Sequence, residues 1–217
     1  MEVFFVSFRL SDLLFMGEAA LRTLQISVLA ILFGTILGVI FGWMLHAGRW
    51  VAAATLGVVL DVFRSVPLLI QLILFFNLFP IIGFRLDPFA AGTIVLSLYT
   101  SALVANVVRG GIESVPMPMR RAARSLGMTY WQDMRHVVWP MGMRAVFPSW
   151  VGVALSVVKD SALVSAIGYV ELIRASQLLV TRTQEPFIVF AVAAAFYFAL
   201  SYPLARMADR VERSWKT

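Results

Sequence analysis

Four stretches of about 20 residues each pass without a charged side chain, at 23–45, 65–84, 88–108 and 186–205. An α-helix rising about 1.5 Å per residue crosses the roughly 30 Å hydrocarbon layer of a bilayer with such a run. Lys159 and Asp160 divide a further apolar pair, 145–158 and 161–170, which reads as a fourth span that is irregular or dipping. The 65–84 run continues residues 50–60 across Asp61 and Arg64. Residues 51–79 therefore read as one long span bent near Val66-Pro67, where proline removes a helix donor and clashes with the preceding turn. The expected fold is an all-α polytopic membrane protein with five transmembrane helices, a single domain over residues 1–217.

Composition supports that class. Hydrophobic residues make up 60% of the chain and charged residues 14%, against roughly 25% charged in a soluble domain. A soluble chain of 217 residues could not hide so much apolar surface and still cover itself with charge. With no cysteine, thiolate metal sites and disulfides are excluded, and His46 and His136 stand far apart, so no metal site is expected. The net charge of +6 does not imply nucleic acid, because the basic residues lie between or beside the apolar segments. Anionic membrane lipid is their natural counterpart.

The distribution of arginine orients the chain. Arg109, Arg120, Arg121, Arg124, Arg135 and Arg144 lie around the connection between the third and fourth spans, and Arg206, Arg210, Arg213 and Lys216 in the tail. The opposite connections balance Arg85 with Asp87, and Arg174 and Arg182 with Glu171 and Glu185. The positive-inside bias then puts the N-terminus outside and the C-terminus inside. Glu2, Asp12 and Glu18 interrupt the first 20 residues, which read as a segment along the membrane surface and not as a removed signal peptide.

The arginine-rich connection, about 110–140, is patterned. Met119, Ala122, Ala123 and Leu126 fall at i, i+3, i+4 and i+7, with Arg120, Arg121, Arg124 and Ser125 on the other face. Pro118 suits the first turn of this helix and Gly127 its end. Thr129 and Gln132 have the spacing of a capping box opening a second helix, which Pro140 interrupts. Such a hairpin either rests on lipid headgroups or docks a cytoplasmic partner.

Residues 121–140, RAARSLGMTYWQDMRHVVWP, resemble the cytoplasmic signature of binding-protein-dependent ABC importer permeases. The family pattern is Glu-Ala-Ala, three residues, Gly, nine residues, Ile-x-Leu-Pro; Ala122, Ala123, Gly127 and Pro140 match in place, with Val137 and Trp139 as substitutes. Arg121 stands where the family generally has Glu, and Asn106 where relatives often have Glu. RSVPLLIQL at 64–72, VRGGIESVP at 108–116, KDSALVSAIGYVELIRASQ at 159–177 and FYFALSYPLARMADRVER at 196–213 are similar to the polar amino acid branch. The resemblance implies a permease that forms the path for a polar amino acid, in the cytoplasmic (inner) membrane of a bacterium. It further implies a second permease, identical or related, two cytoplasmic ATPases that use ATP and Mg, and an extracytoplasmic solute-binding protein. The permease itself would bind no cofactor, and the chain contains no GxxxxGK[ST] phosphate loop.

For coupling to the ATPase, the resemblance and the hairpin pattern single out Arg120, Arg121, Ala122, Ala123, Arg124 and Gly127. For the pathway, ionisable or polar groups at membrane depth are the candidates: Asp61, Arg64, Asn106, Lys159 and Asp160, with Gln71 and Asn77 weaker. Asp61 and Arg64 also have the i,i+3 spacing of a simple helical ion pair, and Lys159 with Asp160 also suits an interfacial or intersubunit pair. Gly34, Gly38 and Gly42 form overlapping GxxxG patterns that favour close helix packing. The competing class is an ion-coupled secondary transporter of a small polar solute, in which Asp61, Arg64, Lys159 and Asp160 would be coupling sites; five spans without an inverted repeat speak against it. An enzyme using Asp133 and His136 lacks an accompanying nucleophile or metal constellation.

Overall fold

A computed structural model describes residues 7–48 and 50–216. The described residues are helical throughout their ordered elements: α1 (Leu10–Ala47), α2 (Trp50–Ser65), α3 (Leu68–Ile81), α4 (Pro88–Ser114), α5 (Met117–Ser125), α6 (Tyr130–Asp133), a π turn (Met134–Val138), α7 (Trp139–Asp160), a 3₁₀ segment (Ser161–Ile167), α8 (Leu172–Thr183) and α9 (Pro186–Lys216). Among the described residues, four stretches are long and apolar enough to cross a membrane: Leu10–Ala47, Pro88–Ser114, Tyr130–Ile167 and Pro186–Trp215. The count rises to five if α2 and α3 together make one span.

The bundle is built on α1 and α4. Three glycines one turn apart, Gly34, Gly38 and Gly42, lie against Ser97, Ser101 and Ala105 of α4. A Cβ at Gly38 would sit 2.6 Å from Val104 Cβ and 3.0 Å from the Ser101 carbonyl oxygen. At Gly42 the Ala105 carbonyl would be 2.6 Å away. Over three turns the glycines thus meet backbone carbonyls of α4 and the β-branched side chains of Thr100, Val104 and Val108, and the missing side chains on α1 let the two helices close on one another. Position numbers rise together along both helices, so α1 and α4 run parallel. The buried core beside this seam gathers Ile26, Leu72, Leu96, Val157 and Val164 from α1, α3, α4, α7 and the 3₁₀ segment.

Several elements differ from the sequence reading. No separate surface segment precedes the first span within the described residues: α1 starts at Leu10 and runs unbroken for 38 residues. Its early charges do not stop it because they are paired, Asp12 with Arg182 at 2.5 Å and Glu18 with Arg22 at 2.7 Å. Residues 1–6, with Glu2, lie outside the described residues. The bend at Val66-Pro67 is real but far sharper than a kinked span, the chain turning by 106° between α2 and α3. Pro67 forces Val66 out of the helical region. Gln71 repairs the break: its side-chain amide donates to the Phe63 and Val66 carbonyls, both at 2.7 Å. Pro140 does not end its helix either. The preceding turn widens to a π turn over Met134–Val138 and the chain continues as α7.

Glu171, in the connection between the spans, is fully buried. It caps α8 by accepting from the Ile173 and Arg174 backbone N–H groups, each at 2.8 Å, and accepts from the Tyr197 hydroxyl of α9 at 3.2 Å. Thr23 of α1 completes the junction by accepting from the Leu172 N–H at 3.1 Å. Burial, partly offset by these hydrogen bonds, pushes the Glu171 carboxyl above the usual carboxylate range. The folded state therefore holds more protons here than the unfolded chain, so this group's contribution to stability falls as pH rises from about 4. Melting temperatures of wild type and Glu171→Gln, compared across about pH 4 to about pH 8, will diverge in the variant's favour as pH rises.

Candidate functional site

The connection after α4 folds as a rigid hairpin. Pro118 sits in the first turn of α5. The helix ends at Gly127, whose φ of +83° is open to glycine at little cost. There the Met128 N–H reaches back to the Ala123 carbonyl at 3.2 Å and the Gly127 N–H to the Arg124 carbonyl at 3.0 Å, a Schellman closure. Thr129 and Gln132 form the reciprocal capping box that opens α6, with bonds of 2.8 and 3.4 Å. Beneath the hairpin, Ile112, Val115, Met134 and Val138 make a small core, and Trp131 stacks on Trp43 of α1 at 5.4 Å.

The faces of α5 are distributed differently from the sequence pattern. Ala123 is buried, whereas Met117, Met119 and Leu126 are 63%, 51% and 81% exposed, beside exposed Arg121, Ala122 and Arg124. Arg124 also lies over the Tyr130 ring at 5.9 Å. Arg120 turns inward: its guanidinium meets the fully buried Asp133 carboxylate at 3.3 Å and approaches His46 Nε2 of α1 at 3.5 Å. A partner reaching the hairpin would therefore meet an apolar knob flanked by Arg121 and Arg124, while Arg120 ties the knob to α6 and α1. Helical periodicity missed this because it cannot register Asp133, which sits on another element. Asp133 is thus engaged by Arg120, and His136 is exposed.

A second polar constellation lies on the exposed side of α2 where it meets α4. Arg64 pairs with Asp61 on α2. Its guanidinium also donates to the side-chain oxygen of Asn106 on α4, in the amide orientation that satisfies both groups. Asp61, Arg64 and Asn106 are thereby brought together across two helices. Lys159 and Asp160 are elsewhere, at the junction where α7 tightens into the 3₁₀ segment. Among the described residues neither of them forms an ion pair, Lys159 being exposed and Asp160 partly buried. Gln71 belongs to the α2–α3 break, and Asn77 bonds the Ile73 carbonyl of its own helix at 2.7 Å.

Comparison with known proteins connects this architecture to transport. The family described as binding-protein-dependent transport system inner membrane component matches residues 34–217. The "Probable glutamine ABC transporter permease protein GlnM" of Bacillus subtilis is 33% identical over 89% of this chain and 92% of its own length. The glutamine transport system permease protein of Escherichia coli is 28% identical, covering 92% of both. A chain in the crystal structure of an amino acid ABC transporter with histidines superposes with a TM-score of 0.85, at 30% identity over 92% of this chain and 94% of that one. A chain of the inward-facing MetNI methionine ABC transporter shares the fold, with a TM-score of 0.79 at 21% identity and coverage of 95% and 99%.

Proposed function

Because the chain belongs to the family of binding-protein-dependent transport system inner membrane components, we propose that it is the membrane-spanning half of an ATP-driven importer of polar amino acids, coupled to its ATPase through the α5–α6 hairpin. It is a multi-pass inner-membrane permease and does no bond chemistry itself. The relatives named for glutamine and the amino acid transporter chain support an amino acid as cargo. In this reading the whole chain is one transmembrane domain that crosses the membrane five times, with the N-terminus outside and the hairpin and C-terminus inside. The parallel run of α1 and α4 supports that count, since α2 and α3 must then return the chain to the side where α1 began. The arginine bias around the hairpin and tail supports the direction.

The working complex pairs two permeases with two cytoplasmic ATPases, which bind ATP and Mg, and an extracytoplasmic solute-binding protein. Closure of the ATPases pushes on the knob of Met119, Arg121, Ala122, Arg124 and Leu126. The Arg120–Asp133 pair and the Trp43–Trp131 stack pass that push to α1 and α4. The pathway opens alternately to each side, and Asp61, Arg64, Asn106, Lys159 and Asp160 are the polar groups that line or gate it. Arg121 and Arg124 call for carboxylates on the facing ATPase surface.

The observation that carries the coupling reading is the outward apolar knob on a closed, rigid hairpin: a stiff element transmits displacement that a loose loop absorbs. Proteoliposomes holding the complete complex will take up the cognate amino acid only with ATP and ATPase present. Uptake by the permease alone, driven by an ion gradient, would instead establish a secondary transporter. In the same vesicles Gly127→Val, strained by about 1–2 kcal/mol at positive φ, will leave membrane insertion intact and hydrolyse ATP with uptake reduced several-fold.

A further inference from the structure

Outside the hairpin core an apolar groove of about 470 Å³ opens between α1 and the entry to α7, lined by Val39, Ile40, Trp43, Trp131, Arg135 and Trp139 among others. It shares Val39 and Trp139 with a second groove of about 310 Å³ that runs on to Thr35 and Trp150. The two make one continuous furrow along α7 from Trp139 to Trp150, about 16 Å of helix. Both walls belong to helices long and apolar enough to cross a membrane, which suits the furrow to an acyl chain. Its mouth is set by tryptophans, side chains that favour the membrane–water boundary. Arg135 is the one charged side chain lining either groove, is exposed, and forms no ion pair among the described residues.

We propose that this furrow binds an anionic phospholipid from the leaflet beside the hairpin, its acyl chain along Val39 and Trp139 and its headgroup on Arg135. An apolar slot without a cation would accept any acyl chain. Placing the charge at the mouth adds selection for a negative headgroup, since a basic side chain near the surface favours anionic lipid by roughly fivefold. The lipid would wedge against the Trp43–Trp131 stack and steady the hairpin on its membrane side, leaving the opposite, apolar face of α5 free.

The test is quenching of tryptophan fluorescence in the purified, delipidated full-length chain by phosphatidylglycerol or phosphatidylcholine with identical brominated acyl chains. Phosphatidylglycerol will reach half-quenching at roughly fivefold lower lipid. Arg135→Gln will erase that preference and Arg135→Lys will retain it, while Arg144→Gln, outside the groove lining, leaves it unchanged. Val39→Phe, which narrows the slot, will weaken both lipids together. Equal half-points for the two lipids in the wild type, or an undiminished preference in Arg135→Gln, would overturn the proposal. Loss of quenching on assembly of the full complex would overturn it too, assigning the furrow to a second copy of the chain.

Discussion

Gly38→Leu will prevent the chain from accumulating in folded form. A side chain there meets Val104 Cβ at 2.6 Å and the Ser101 carbonyl at 3.0 Å as soon as its Cβ is added, before the branched end is placed. Neither neighbour can yield cheaply, because one is backbone and the other is a stiff β-branched residue on a helix packed along its length. The cost is about 3 kcal/mol or more, a large part of the margin that keeps a domain folded. Gly38→Ala will give a milder form of the same defect. Gly152→Ala is the contrasting case: nothing lies within 4 Å of a Cβ at that helical position, so alanine's better helix propensity makes it neutral or slightly stabilising. Thermal unfolding of the three variants in detergent, with membrane abundance, checks the order.

Asp133→Ala will be nearly as damaging, for an electrostatic reason. Arg120 is 14% exposed and Asp133 1%, so removing the carboxylate leaves a largely buried guanidinium without its ion-pair partner, beside His46. Breaking a buried pair from one side costs about 3 kcal/mol. The expected phenotype is a folded membrane core with a loosened hairpin, in which ATP is still hydrolysed and uptake falls by tenfold or more. The double variant Arg120→Met, Asp133→Leu removes both charges and will recover most of the lost thermal stability. Stability recovered without uptake would show that the pair also orients the knob; recovery of both would show that it only holds the hairpin closed. Proteolytic sensitivity of the connection and the ratio of hydrolysis to uptake are the two readouts.

Much of this was legible because membrane burial speaks through long runs and fixed spacings. Residues 88–108 and 186–205 lie inside α4 and α9, and Gly34, Gly38 and Gly42 announced a close seam. The facing Thr100, Val104 and Val108 of α4 have the same spacing and pass unnoticed because β-branched residues are common in apolar spans for many reasons. The helix, glycine turn and capping box of the hairpin were readable, since each depends on neighbours a few residues away. What failed depended on distance in sequence. The inward turn of Arg120 is dictated by Asp133, and the burial of Glu171 by Thr23 and Tyr197, partners no local pattern reveals. The angle at Val66-Pro67 is likewise fixed by the packing of α3 on α4 and by Gln71, whereas proline alone signals only a break. Asp61, Arg64 and Asn106 were each visible as polar groups at membrane depth, but their meeting required the register of α2 on α4.

If the hairpin couples the permease to its ATPase, the knob on α5 faces the cytoplasm and is covered there by that subunit. Because the chain has no cysteine, a single Ala122→Cys substitution gives an unambiguous probe on the exposed face of α5. A membrane-impermeant maleimide should label it in inside-out vesicles stripped of ATPase, fail to reach it in intact spheroplasts, and lose access when the ATPase is restored. Labelling from the outer face, or labelling equal with and without bound ATPase, would rule out coupling through this knob.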